Sequence, residues 1–110
     1  MDQVSQYFKD FLQQVYECKV DYTVKATKRK TNSVAGCYFP SKRRINIYNV
    51  GSHPLFLLQH TAIHELAHHI HHTEFNRTKN KERVHGKEFW NIVAVLEDNA
   101  KKKSMYSFKF

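Results

Sequence analysis

From Leu55 to His72 the chain runs without Gly or Pro and is rich in Leu, Ala, Ile and His, directly after the breaking sequence Gly51-Ser52-His53-Pro54. An uninterrupted run of this kind specifies one long, largely buried helix. The other segments must therefore supply the elements that cover it.

Those segments are legible from their periods. Val4, Tyr7, Phe8, Phe11, Leu12 and Val15 recur at spacings of three and four, the stripe of an amphipathic helix. From Cys18 to Thr27 the period falls to two: Cys18, Val20, Tyr22, Val24 and Ala26 alternate with polar residues, which predicts a strand. Lys28 to Ser33 is polar and basic and suits a turn. Val34 to Phe39 then reads as a second strand, ended by Pro40. After Ser41 and Lys42, the segment Arg43 to Asn49 alternates again with Ile45 and Ile47 on one face, and so short a connection predicts a hairpin. Thr73 to Val84 is a polar connecting loop. From Gly86 the residues Phe89, Ile92, Val93 and Leu96 return to helical spacing until the lysine run, and Met105 to Phe110 reads as a short strand or tail. The expectation is a single α+β domain over residues 1–110, with an N-terminal helix, a three-stranded mostly antiparallel sheet, the long helix and a C-terminal helix.

The hydrophobic share of 41% and the charged share of 25% fit a globular protein. No run approaches the roughly 18 apolar residues of a membrane span, and the first residues lack a basic leader and an apolar core. The reading is a cytoplasmic protein with no membrane partner. Cys18 and Cys37 form no CxxC pair and are expected as free thiols. The formal charge of +8 is concentrated at Lys28-Arg29-Lys30, Lys42-Arg43-Arg44, Arg77 to Arg83 and Lys101-Lys102-Lys103. Two readings stand level: a polyanion such as DNA as partner, or solvated loops that keep a small protein in solution.

Inside the long helix stands His64-Glu65-Leu66-Ala67-His68, the HExxH pattern. Residues four apart on a helix lie on one face a turn apart, so two imidazoles reach one metal ion. Zinc is the natural occupant, with three protein ligands and an open position for water. Glu65, beside the first ligand but turned from the metal, is placed to act as general base on that water. In a histidine-rich chain the five-residue pattern alone is suggestive; its setting among Ile63, Leu66, Ala67 and Ile70 gives it weight. His85, at the junction into the last helix, is the best third ligand, against Glu88, His71 and His72 as competitors. His69 and His72 otherwise read as supporting or surface groups, and His53 and His60 as structural. Tyr48, Tyr106 and His72 are possible donors to an oxyanion, none of them singled out by position.

The hairpin around Ala35-Gly36-Cys37-Tyr38 and Arg43-Arg44-Ile45-Asn46-Ile47, then His64-Glu65-Leu66-Ala67-His68, then His85-Gly86-Lys87-Glu88-Phe89-Trp90, together resemble the SprT-like (Spartan-related) zinc metallopeptidases. The resemblance spans residues 5–97. It implies a minimal zincin-like fold, zinc on His64, His68 and His85, and Glu65 as base, in a family whose characterised members cleave proteins crosslinked to DNA. Relatives often carry a C-terminal zinc ribbon with paired CxxC elements, and this chain has none. The substrate is expected to be a polypeptide, added as an extended segment to a sheet edge. Arg43, Arg44, Ile45, Asn46, Ile47 and Tyr48 are assigned to that edge. The alternative is a basic DNA- or protein-binding module in which zinc is structural; such a module has no use for Glu65.

Overall fold

The computed structural model describes residues 2–75 and 86–103. Helix α1 (Gln3–Val15) starts at Asp2, whose carboxylate accepts from Ser5 N at 2.8 Å and so satisfies one of the free donors of the first turn. Of the stripe predicted from the spacing, Phe8, Phe11, Leu12 and Val15 are buried, while Val4 and Tyr7 at its start remain exposed. Ser5 Oγ also accepts from Ala26 N at 2.9 Å, which ties the start of the helix to the first strand.

Three short strands follow: β1 (Thr23–Ala26), β2 (Gly36–Phe39) and β3 (Arg44–Ile47), in the order β1-β3-β2. β2 and β3 form the expected antiparallel hairpin, with Tyr38 opposite Ile45, while β1 lies parallel to β3 with Val24 opposite Ile45. Val24, Ala26, Ile45 and Ile47 point to the buried face. The strand read from Cys18 onward begins only at Thr23. Before that, Lys19 N donates to the Glu74 carboxylate at 3.0 Å and the Val20 carbonyl bonds the His69 ring at 2.7 Å, so helix side chains take the place of a sheet partner. β3 is likewise bounded by two left-handed residues, Arg43 (φ 48°) and Asn49 (φ 64°), which interrupt the pleat on each side.

Helices α2 (Leu55–Glu74) and α3 (Lys87–Lys102) complete the fold, helix, sheet and then two helices in the order anticipated. Ala62, Ile63, Leu66 and Ala67 of α2 are completely buried among Leu12, Ile45 and Ile47, and Phe89 and Leu96 of α3 close the core. Cys18 and Cys37 are free thiols, and burial pushes the Cys18 thiol up to about 12. Among the described residues no helix is long and apolar enough to cross a membrane. Residues 76–85, all but the last within the segment read as a connecting loop, and residues 104–110, which include the segment read as a short strand or tail, lie outside the described residues.

Candidate metal centre and active site

Helix α2 is the scaffold of the site. His64 and His68, one turn apart, bring their rings to 5.0 Å between centroids in an edge-on arrangement. Both are half-buried and line a cleft of about 840 Å³. α3 supports them from below: Phe89 stacks on His68 at 4.4 Å and meets His64 edge-on at 5.0 Å, and Trp90 lies 5.8 Å from His64. Aromatic packing of this kind restricts the imidazole rotamers.

Glu65 is 6% exposed and lines the same cleft. Burial alone pushes its carboxyl up to about 7. A divalent cation beside it would pull it back toward the charged form. Its surroundings depend on Gly36: a Cβ there would stand 2.8 Å from the Asn46 carbonyl oxygen, 2.8 Å from Thr61 Cγ2 and 3.3 Å from Glu65 Cγ. Only a residue without a side chain lets β2 approach α2 this closely.

The cleft runs between α2 and the segment Val34 to Pro40, which contains β2. This corrects the assignment of the substrate edge to Arg43, Arg44, Ile45, Asn46, Ile47 and Tyr48. β3 is the central strand, with its backbone paired to β1 on one side and β2 on the other, and cannot accept a further strand. The edge strand beside the motif helix is β2. A two-strand hairpin has two edges, and the parallel pairing of β1 with β3, which no local pattern announces, decides which one stays open.

The remaining histidines separate clearly. His69 is fully buried; its Nε2 lies 2.7 Å from the Val20 carbonyl, which can only accept, so Nε2 carries the proton and Nδ1 accepts from Tyr38 Oη at 2.7 Å. Burial lowers its pKa, in keeping with this neutral tautomer. Of the three competitors for the third ligand position, His71 and Glu88 are bonded to each other at 2.8 Å across α2 and α3. His60 bonds Glu97 of α3 at 2.8 Å, and His53, His60, His71 and His72 also line the cleft. Tyr48 is buried, lies near Asn46 (3.4 Å) and does not line the cleft, so it is not placed to meet an oxyanion there. Tyr106 lies outside the described residues.

Among the described residues no three His, Cys, Asp or Glu side chains form a group that could hold a metal. The third expected ligand, His85, lies outside the described residues. The two imidazoles that are described suit zinc in kind and spacing: nitrogen donors one turn apart on one helix face, lining an open cleft. Gly36, Tyr38 and Thr61 are the cleft residues that motif reading passed over. Gly36 alone carried a signal, a glycine inside a strand pattern, which marks close approach of another backbone or helix. No family model, no curated protein and no solved structure matches the chain.

Proposed function

We propose that this chain is a zinc-dependent metalloendopeptidase of the SprT-like kind that hydrolyses polypeptides laid along β2. The observation that carries the proposal is the position of Glu65: a buried carboxylate in the cleft that His64 and His68 also line, packed close to Gly36 of the edge strand. His64 and His68, with His85, would hold the zinc ion. When bound, zinc supplies a Lewis acid for a carbonyl oxygen and makes water acidic enough to attack near neutral pH.

The chain's own residues do the rest. β2 offers the backbone groups of its outer edge to an extended peptide, whose main-chain hydrogen bonds give affinity with little sequence preference. Pairing with β2 runs the peptide parallel to the cleft, so that its carbonyls pass over Glu65. Glu65 takes the proton of the attacking water and, held within the same cleft, is placed to return it to the leaving amine. Phe89 and Trp90 hold the imidazoles.

The experiment is cleavage of an unfolded polypeptide by wild type and Glu65→Gln, with zinc content measured on both. The proposal predicts zinc in both, and cleavage lowered by about 10²–10⁴-fold in Glu65→Gln, the usual worth of a general base. Removal of zinc by a chelator should abolish cleavage by wild type and readdition restore it. Zinc-loaded wild type that cuts no unfolded polypeptide would instead favour the binding module with structural zinc.

A further inference from the structure

Two large apolar side chains stand open to solvent in the cleft: Val34 is 44% exposed and Leu57 is 42% exposed. Single exposed hydrophobic residues are ordinary on a protein surface. These two differ in standing on the two walls of one cleft, Leu57 on α2 and Val34 on the segment that leads into β2.

They also stand at one level. β2 and α2 advance in the same direction: Gly36 packs on Thr61 and Glu65, while Tyr38, two residues on, bonds His69 and has its ring 6.2 Å from that of His72. Toward the N-terminus from the contact of Gly36 with Thr61, two residues lead to Val34 and one helical turn leads to Leu57. The pairing with the β3 side continues there, since Tyr48 N donates to the Ala35 carbonyl at 3.0 Å. The two paths are similar in length, about 6.6 Å along extended chain and about 6 Å along the helix.

Leu57 belongs to a stripe of α2 that lines the cleft, Leu57-Thr61-His64-His68-His72, in which every other member is polar. A leucine on a wet, polar stripe suits an apolar group brought from outside the chain. Among the described residues that line the cleft there is no Lys or Arg, and His60, at the same end as Leu57, is engaged by Glu97 at 2.8 Å.

Distance fixes which part of a bound peptide arrives there. Leu57 stands seven residues before His64 and eleven before His68, which is about 13 Å along the helix axis from the level between them. An extended peptide covers that length in about four residues. Antiparallel pairing is the more stable per residue. A peptide antiparallel to β2 brings the carboxyl side of its scissile bond toward Val34 and Leu57.

We propose, on the peptidase reading of this cleft, that Val34 and Leu57 form an apolar subsite that selects an aliphatic or aromatic side chain about three or four residues beyond the cut, on its carboxyl side. Successive side chains of a strand point to opposite faces, so one of these two positions meets the subsite. The substrate class is then an unfolded segment, in which a side chain normally buried in a folded protein is accessible.

The test uses labelled peptides of polar, uncharged residues into which one Leu is introduced at successive positions, compared with the parent carrying Ser. Mass spectrometry of the products should place Leu three or four residues after the cut. Its kcat/KM should exceed that of the Ser parent by about tenfold, the low end of the worth of one methylene in an enclosed pocket. This ratio should fall toward one in Leu57→Ser and in Val34→Ser. Val95→Ser, at an exposed apolar residue of α3 outside the cleft, should keep it. Circular dichroism melting verifies folding of each variant. Fluorescence anisotropy of the same peptides with Glu65→Gln should show the same Leu preference, lost in Glu65→Gln/Leu57→Ser. Selective binding without cleavage by wild type would uphold the subsite and count against the peptidase reading. Cleavage without a Leu preference, a preference confined to the residues adjoining the cut or to its amino side, or one that survives Leu57→Ser would overturn the subsite and leave the peptidase reading in place.

Discussion

Tyr38 Oη donates a 2.7 Å hydrogen bond to Nδ1 of His69, joining the edge strand to the helix that carries His64, Glu65 and His68. His69 passes the connection on through Nε2 to the Val20 carbonyl, so one buried imidazole holds the strand, the helix and the loop before β1 together. Tyr38→Phe removes the donor and leaves a buried acceptor unpaired. We expect a loss of about 1–3 kcal/mol of stability, read as a lower urea midpoint. Peptide cleavage should show a raised KM with kcat less affected, because the strand that binds substrate loosens while Glu65 stays in place.

Gly36→Ala places a methyl group 2.8 Å from the Asn46 carbonyl oxygen and from Thr61 Cγ2. The carbonyl belongs to the central strand and cannot give way, so β2 must shift away from α2. The expected cost is about 1–3 kcal/mol, accompanied by reduced cleavage as the cleft changes width. Thr61→Ser removes one of the two clashing atoms, and the double variant should recover part of the stability. Thermal melts of the four proteins in the cycle decide this; an unchanged melting temperature for Gly36→Ala would show that the contact is not tight.

Most of the architecture was legible because it rests on period alone. The stripe of α1, the Ile45/Ile47 alternation and the unbroken run of α2 each identified their element within a few residues. What was not legible depends on partners distant in sequence. The stretch from Cys18 to Tyr22 alternates like a strand, yet the Lys19 amide and the Val20 carbonyl bond Glu74 and His69, some 50 residues away. The choice of β2 over β3 as the open edge depends on where β1 docks, which the hairpin does not encode. Within the site, His64, Glu65 and His68 were identifiable from their spacing. The pairing of His71 with Glu88, and of His69 with Tyr38, required the packing of α2 against α3 and β2.

Lys9 supplies a pH dependence. Its ammonium group is nearly buried, lies 3.8 Å over the Tyr22 ring, bonds the Tyr22 carbonyl and pairs with the Asp21 carboxylate at 2.8 Å. The Lys9 hydrogen bond holds the Asp21 carboxyl below its usual range. A carboxyl whose pKa is lower in the folded than in the unfolded chain adds stability above the unfolded value near 3.9, and loses it as pH falls through the folded value. Asp21 is largely solvated, so the contribution is below about 1 kcal/mol. Urea melts of wild type and Asp21→Asn should differ at neutral pH and converge in acid below the folded pKa. A difference that persists there would assign the effect to packing and not to charge.

The proposed zinc ion, held by His64, His68 and His85 with one position open, is read out by zinc K-edge X-ray absorption of the metal-loaded chain. We expect about one zinc per chain, a first shell of nitrogen and oxygen at roughly 2.0–2.1 Å, three imidazoles in the outer scattering and one of them lost in His85→Ala. A sulfur shell near 2.3 Å, an unchanged spectrum in His85→Ala, or a purified chain that takes up no zinc would contradict it.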